Sequence, residues 1–228
     1  MSLPTESTST RYAADVSARI PPRDAVQGIV ELAPRDRAIW ELAAPHLDVR
    51  DNDVHSLYAY GLAAALQALL PGSRAEIVLP AILLHDTGWS TVPDKLILAA
   101  IAPGGGRPDL VRRHETEGAR IARQILGSLD FPETDIEEIA AIIDGHDSRP
   151  EALSPDDAIV KDADKLWRLT PHGLRTVQGW FGLDADQALR LCCARVHDSL
   201  FTEPARAMAR GLAAVASLDL APERTALG

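Results

Sequence analysis

From Arg35 onward the apolar residues recur at helical rather than alternating spacing, and alanine and leucine prevail over the β-branched residues that favour strands. The pattern predicts a helix over 35–47, with Ile39, Trp40, Leu42 and Ala43 on its inner side. A second follows caps offered by Asp51 or Asp53 and runs through His55, Leu57, Leu62, Leu66 and Leu70 until Pro71-Gly72 stops it. A third covers about 74–85. A short helix over 93–101 ends at Pro103-Gly104-Gly105-Gly106. The long segment 108–129 is amphipathic, with Leu110, Ile121 and Ile125 as its apolar stripe. Thr134 and Glu137 form a capping-box pattern ahead of a helix reaching Ile143. Ser154-Pro155-Asp156-Asp157 opens another through Leu166, and 184–218 is helical with a break at Pro204. The expectation is an all-α, single-domain helical bundle over 31–220. A loosely ordered N-terminal tail (1–30, with a helical hint near 12–20) and a C-terminal tail (221–228) flank it.

One run breaks this pattern. Ile77-Val78-Leu79-Pro80-Ala81-Ile82-Leu83-Leu84 heads into a core, yet His85 and Asp86 come next. Burying either unpaired would cost several kcal/mol. Other polar residues fall on otherwise apolar faces in the same way: His55, His114, His146 and Asp164. A divalent cation would satisfy all six together, because neutral imidazoles and ionised carboxylates are good ligands for Mn, Fe, Zn, Ni or Co. The plainer readings are a hydrogen-bonded core pair for His85-Asp86, an exposed helix position for His114, and a helix-end contact with the last carbonyls for His146. A further dipeptide, His197-Asp198, lies in a charged helix and reads as accidental.

The order His55, His85-Asp86, Asp164 resembles the H…HD…D signature of the HD-domain superfamily of metal-dependent phosphohydrolases, over about 35–169. The resemblance implies an all-helical HD-type bundle whose central helices converge their ligands on one or two divalent ions. Manganese or iron comes first among these, and nickel, cobalt, zinc or magnesium are also compatible. In the final element, Ala163-Asp164-Lys165-Leu166 fits the family pattern better than Asp162 does, so Asp162 stands second. The stretch from His85 through Ile97, followed by His114-Glu115-Thr116-Glu117-Gly118, is similar to the HD-GYP branch, which cuts cyclic dinucleotides and carries extra histidines. His114 and His146 correspond to those extras. However, Trp89 stands where that branch has a phosphate-binding lysine, and the segment 144–150 lacks the Gly-Tyr-Pro signature.

Two ions bridged by Asp86 would form a hydrolytic site in which a metal-held hydroxide cleaves a phosphate ester or anhydride of a small, nucleotide-like substrate. Asp86 and Lys165 are the candidate catalytic residues. Lys95, Arg113 and Arg149 are further basic residues near the ligands in sequence, able to neutralise phosphate, and Trp89 offers an apolar or stacking wall. Some relatives with six such ligands resemble di-iron oxygenases acting on a phosphonate or polyol, which gives a second reading. A catalytically silent, metal-stabilised binding or regulatory module gives a third.

Composition narrows the partners. The 228 residues carry a net charge of -10, which argues against nucleic acid and leaves small ligands or protein partners; the metal-site reading makes the expected ligand a small phosphorylated molecule. No apolar run is long enough for a membrane, the first residues lack signal-peptide order, and the only cysteines, Cys192 and Cys193, are adjacent. The expectation is a cytoplasmic protein without membrane partners; a homo-oligomeric form is compatible with it.

Overall fold

The computed structural model describes residues 15–104 and 106–223. The tail expected over 1–14, and the last five residues of the C-terminal tail, lie outside the described residues. The chain divides after Glu31 into two compact units. In the first, the described residues form 3-10 turns at Ser17–Arg19 and Arg23–Ala25, bury no side chain, and pair Arg23 with Glu31.

Among the described residues the second unit contains ten α-helices and no strand: α1 (Pro34–Leu47), α2 (Asn52–Leu69), α3 (Ala75–Leu84), α4 (Asp94–Ile101), α5 (Pro108–Ser128), α6 (Glu133–Ile143), α7 (Pro155–Trp167), α8 (Pro171–Phe181), α9 (Ala185–Val196) and α10 (Glu203–Asp219). α3 is apolar nearly all round, so it can be stable only at the centre. There it packs against α1, α2, α6 and α7. Ile77, Ile82, Leu83 and Leu84 are fully buried, each contributing about 1.5–3 kcal/mol. The entry to α3 is tied to α7 by Arg74, whose backbone N–H and guanidinium both donate to Asp156.

Four details depart from the pattern. Leu42 faces outward at 42 % exposure, and Asp36 takes the inner position instead, accepting a 2.8 Å hydrogen bond from the Tyr60 hydroxyl. α6 begins at Glu133 after Pro132, so Thr134 lies inside its first turn and caps nothing. The break in the C-terminal region precedes Pro204, which occupies the first turn of α10, where its missing N–H costs nothing. α8 is absent from the pattern, its apolar stripe interrupted by Gly173 and Gly179. Its start is set by the Thr170 hydroxyl, which accepts from the Gly173 N–H at 3.0 Å.

Candidate metal centre

The abrupt end of α3 creates the site. His85 keeps helical dihedrals, Asp86 turns to φ -97°, ψ 3°, and a 3-10 helix, Thr87–Thr91, follows. Thr87, Ser90 and Thr91 stabilise that turn by donating their hydroxyls back to the carbonyls of Leu84, Thr87 and Gly88. Gly88 lets the turn press onto α5, since a Cβ there would lie 1.9 Å from the His114 carbonyl oxygen. His85, Asp86 and His114 are thereby brought together although 28 residues separate the last two.

Two clusters share Asp86. In the first, His55 Nε2 lies 3.0 Å from His85 Nε2 and 3.4 Å from both Asp86 Oδ2 and Asp164 Oδ1. In the second, His114 Nε2 lies 3.3 Å from His146 Nε2 and 3.5 Å from Asp147 Oδ2. Asp86 Oδ1 faces this second cluster, 3.6 Å from His146 and 3.9 Å from His114. Each cluster can therefore offer two imidazole nitrogens and its own aspartate, with one Asp86 oxygen turned toward each. The Nδ1 atoms of His85 and His146 contact the carbonyls of Ile82 and Ile143 at 2.8 and 2.9 Å. Donation there leaves the Nε2 lone pair directed inward. Trp167 meets His55 edge-on at 4.4 Å, and Trp89 stacks on His114 at 3.9 Å while donating its N–H to Asp86 Oδ1.

The turn after α6 carries His146 and Asp147, and two buried ions hold it from opposite directions. Glu115 accepts from the backbone N–H groups of Asp147 and Ser148 at 3.0 and 2.7 Å and from the Ser148 hydroxyl at 2.7 Å. Lys161, 1 % exposed, donates to the carbonyls of Gly145, His146 and Arg149 at 2.7, 3.0 and 2.9 Å. Gly145 adopts φ 133°, a conformation that favours glycine.

Imidazole nitrogens facing each other at 3.0–3.3 Å beside three carboxylates make a donor set that a divalent cation satisfies. The protein's own charges point the same way. Burial opposes the ionised forms of Asp86 and Asp164, but the imidazoles around Asp86, and Arg168 with His55 and His85 around Asp164, hold both carboxyls well below the usual range. Burial also opposes charging His146, yet Asp86 and Asp147 raise it to about 10, whereas burial and the His146 charge push His114 down to about 4.

All six sequence-derived ligand candidates, His55, His85, Asp86, His114, His146 and Asp164, meet here. The alternative Asp162 does not: its carboxylate accepts from the Phe201 and Thr202 N–H groups and the Thr202 hydroxyl at 2.8–2.9 Å, fastening α7 to α10. Lys165 also turns away, donating to the Ser199 carbonyl at 2.8 Å and lying over the Phe201 ring. Arg149 is spent on Asp157 and the Asp144 carbonyl. Lys95 and Arg113 are exposed. Trp89 is 2 % exposed and lines a small cleft beside His55 and Asp86, while it also orients its neighbours. His197, of the accidental dipeptide, contacts the Cys193 carbonyl.

Three residues were missed. Asp147 completes the second cluster, and its signal was present, for His146-Asp147 repeats the His85-Asp86 dipeptide. Arg168 lies 3.6 Å from Asp164, one helical turn beyond it. Arg50 sits between the rings of Trp89 and Trp180 at 5.2 and 5.0 Å, with Nε and Nη1 buried and unpartnered. Both arginines line a small cleft with His55, Asp86, Asp147 and Asp164.

An all-helical bundle whose core helices present paired His/Asp clusters defines a class of metal-binding domain. The HD-domain family model matches residues 52–169, which include all seven site residues from His55 to Asp164, and the chain belongs to that family. Among solved structures it is similar to a predicted HD superfamily hydrolase from an uncultured Thermotogales bacterium, at 17 % identity and a TM-score of 0.57, covering 84 % of this chain and 92 % of that one. That likeness bears on the fold. No curated protein matches.

Proposed function

We propose that this protein is a metal-dependent phosphohydrolase acting on a phosphate ester or anhydride of a small molecule. The observation that carries the proposal is the Asp86 carboxylate, one oxygen facing each of two His/Asp clusters. His55, His85 and Asp164 would hold one divalent ion and His114, His146 and Asp147 a second, with Asp86 shared. Manganese and iron suit these donors best. Such ions supply Lewis acidity and acidify water at neutral pH.

The chain's own residues do the rest. Trp89 fixes Asp86 through its indole N–H, and Ile82 and Ile143 fix two of the imidazoles. Arg50 and Arg168 line the cleft as cations. Arg50 has no carboxylate partner within hydrogen-bond distance and lines the cleft, so its guanidinium can take the nonbridging oxygens of a phosphoryl group as charge develops on them. The rings of Trp89 and Trp180 hold its guanidinium in place, so little side-chain freedom is lost on binding. An acidic protein can bind an anion in this way because the positive field is local.

The test is phosphate release from p-nitrophenyl phosphate and a nucleotide panel by protein loaded with manganese or iron, beside Asp86→Ala and Arg50→Gln. The proposal expects turnover that Asp86→Ala abolishes and a raised KM with Arg50→Gln. Oxygen uptake on a phosphonate or polyol without phosphate release would transfer the site to the di-iron oxygenase reading, and bound metal without any turnover would make it a binding module.

A further inference from the structure

The small cleft opens toward a much larger space. A cavity of about 620 Å³, within the range of small-molecule sites, shares Ile101, Asp147, Arg168 and Trp180 with it. The remaining wall comes from α4, the loop after it, the start of α5, and α8 and α9. Its α8 and α9 residues, Val177, Trp180, Phe181, Leu191, Cys192 and Arg195, all lie beyond the segment that the HD-domain family model matches. The metal ligands thus belong to the shared family segment, and much of this wall does not.

The wall is mainly apolar. Among the described residues it has no Asn, Gln, Thr, Tyr, His, Lys or Glu. Of its four polar side chains, Asp147 and Arg168 face the metal cleft as well, and Ser148 is committed to Glu115 through both its N–H and its hydroxyl. Arg195 makes no hydrogen bond or ion pair within the described residues. Of these side chains only Arg195 is free to meet the polar edges of a nucleobase or sugar, so most of those edges would be buried without a side-chain partner. A hydrocarbon or aryl group brings no polar edge of its own to satisfy. Arg168, shared with the metal cleft, and Arg50 inside that cleft are left for a negative head.

We infer that the cavity takes the apolar organic group of the substrate, which is a phosphate ester of an alkyl or aryl alcohol rather than a nucleotide. This rests on the phosphohydrolase reading and replaces the nucleotide-like substrate expected from the sequence. The phosphoryl group lies against Asp86, Arg50 and Arg168, and the carbon chain extends past Ile101 and Trp180 toward Leu191.

Binding of n-alkylphosphonates, from ethyl to hexyl, to the manganese-loaded protein by calorimetry tests it independently of turnover. Affinity is expected to rise about three- to fourfold per methylene. Leu191→Asp, on the half-buried part of the wall, should erase that gradient while leaving ethylphosphonate binding intact, and Ala102→Phe should shorten the chain length at which it levels off. A flat series, or tighter binding of adenosine monophosphate than of hexylphosphonate, overturns the inference. A gradient in binding with no hydrolysis of any alkyl phosphate would keep the cavity's occupant and sink the phosphohydrolase reading instead.

Discussion

Lys161→Met replaces a buried ammonium with an apolar chain of similar length. In the native protein that ammonium ties together three carbonyls of one turn, those of Gly145, His146 and Arg149. The Gly145 carbonyl keeps a second donor in the substituted protein, the Arg149 N–H at 3.1 Å, but the other two lose their partner. Leaving the buried His146 acceptor and the half-buried Arg149 acceptor bare costs about 2–5 kcal/mol. Burying methionine rather than an ammonium recovers part of this, so the net loss is roughly 2–4 kcal/mol. The larger effect should be local, because the same turn carries His146 and Asp147, two ligands of the second cluster. Urea unfolding reads the first effect and metal titration the second. The expected result is a lowered midpoint together with loss of one of two bound ions, the ion at His55, His85 and Asp164 being retained. Full stability with both ions bound would refute the role given to Lys161.

Gly88→Ala should cost roughly 2–3 kcal/mol in chemical denaturation, since its Cβ would strike the His114 carbonyl and neither backbone can yield without moving a ligand. Wild-type stability would show that the turn and α5 are less closely packed than described. Asp162→Ala should lower stability by about 2–4 kcal/mol and leave metal content unchanged, because its three hydrogen bonds serve the start of α10; Asp164→Ala should remove metal instead, and the reverse outcome would exchange the two roles. At neutral pH the His146 proton, held up to about 10, must leave before that imidazole can bind an ion. Affinity of the second ion should therefore strengthen by about tenfold per pH unit from neutrality toward that value and weaken on acidification, which calorimetry in a pH series measures. A pH-independent affinity would mean that His146 is not a ligand.

The helical architecture was legible because periodicity and residue type agreed over almost the whole chain. α8 escaped because its apolar stripe is short and contains glycines. The six ligand candidates were legible for a different reason: each is a polar residue where the pattern calls for an apolar one. The cations were harder. Successive helix residues point about 100° apart, so Lys165, next to Asp164, and Arg113, next to His114, face elsewhere despite their proximity in sequence. Arg168, four residues after Asp164, shares its face. Arg50 depends on a backbone at φ 54°, which no periodicity announces. The apolar cavity was illegible for the same reason as Arg50, since its wall joins α4, α5, α8 and α9 in a way that tertiary packing alone decides.

Anomalous diffraction at the manganese or iron edge, from crystals of metal-loaded protein, bears most directly on the shared carboxylate. Two peaks are expected, one bounded by His55, His85 and Asp164 and the other by His114, His146 and Asp147, with an Asp86 oxygen on each. A single peak that Asp86 does not touch, or none at saturating metal, would contradict the two-ion site and the hydrolytic chemistry built on it.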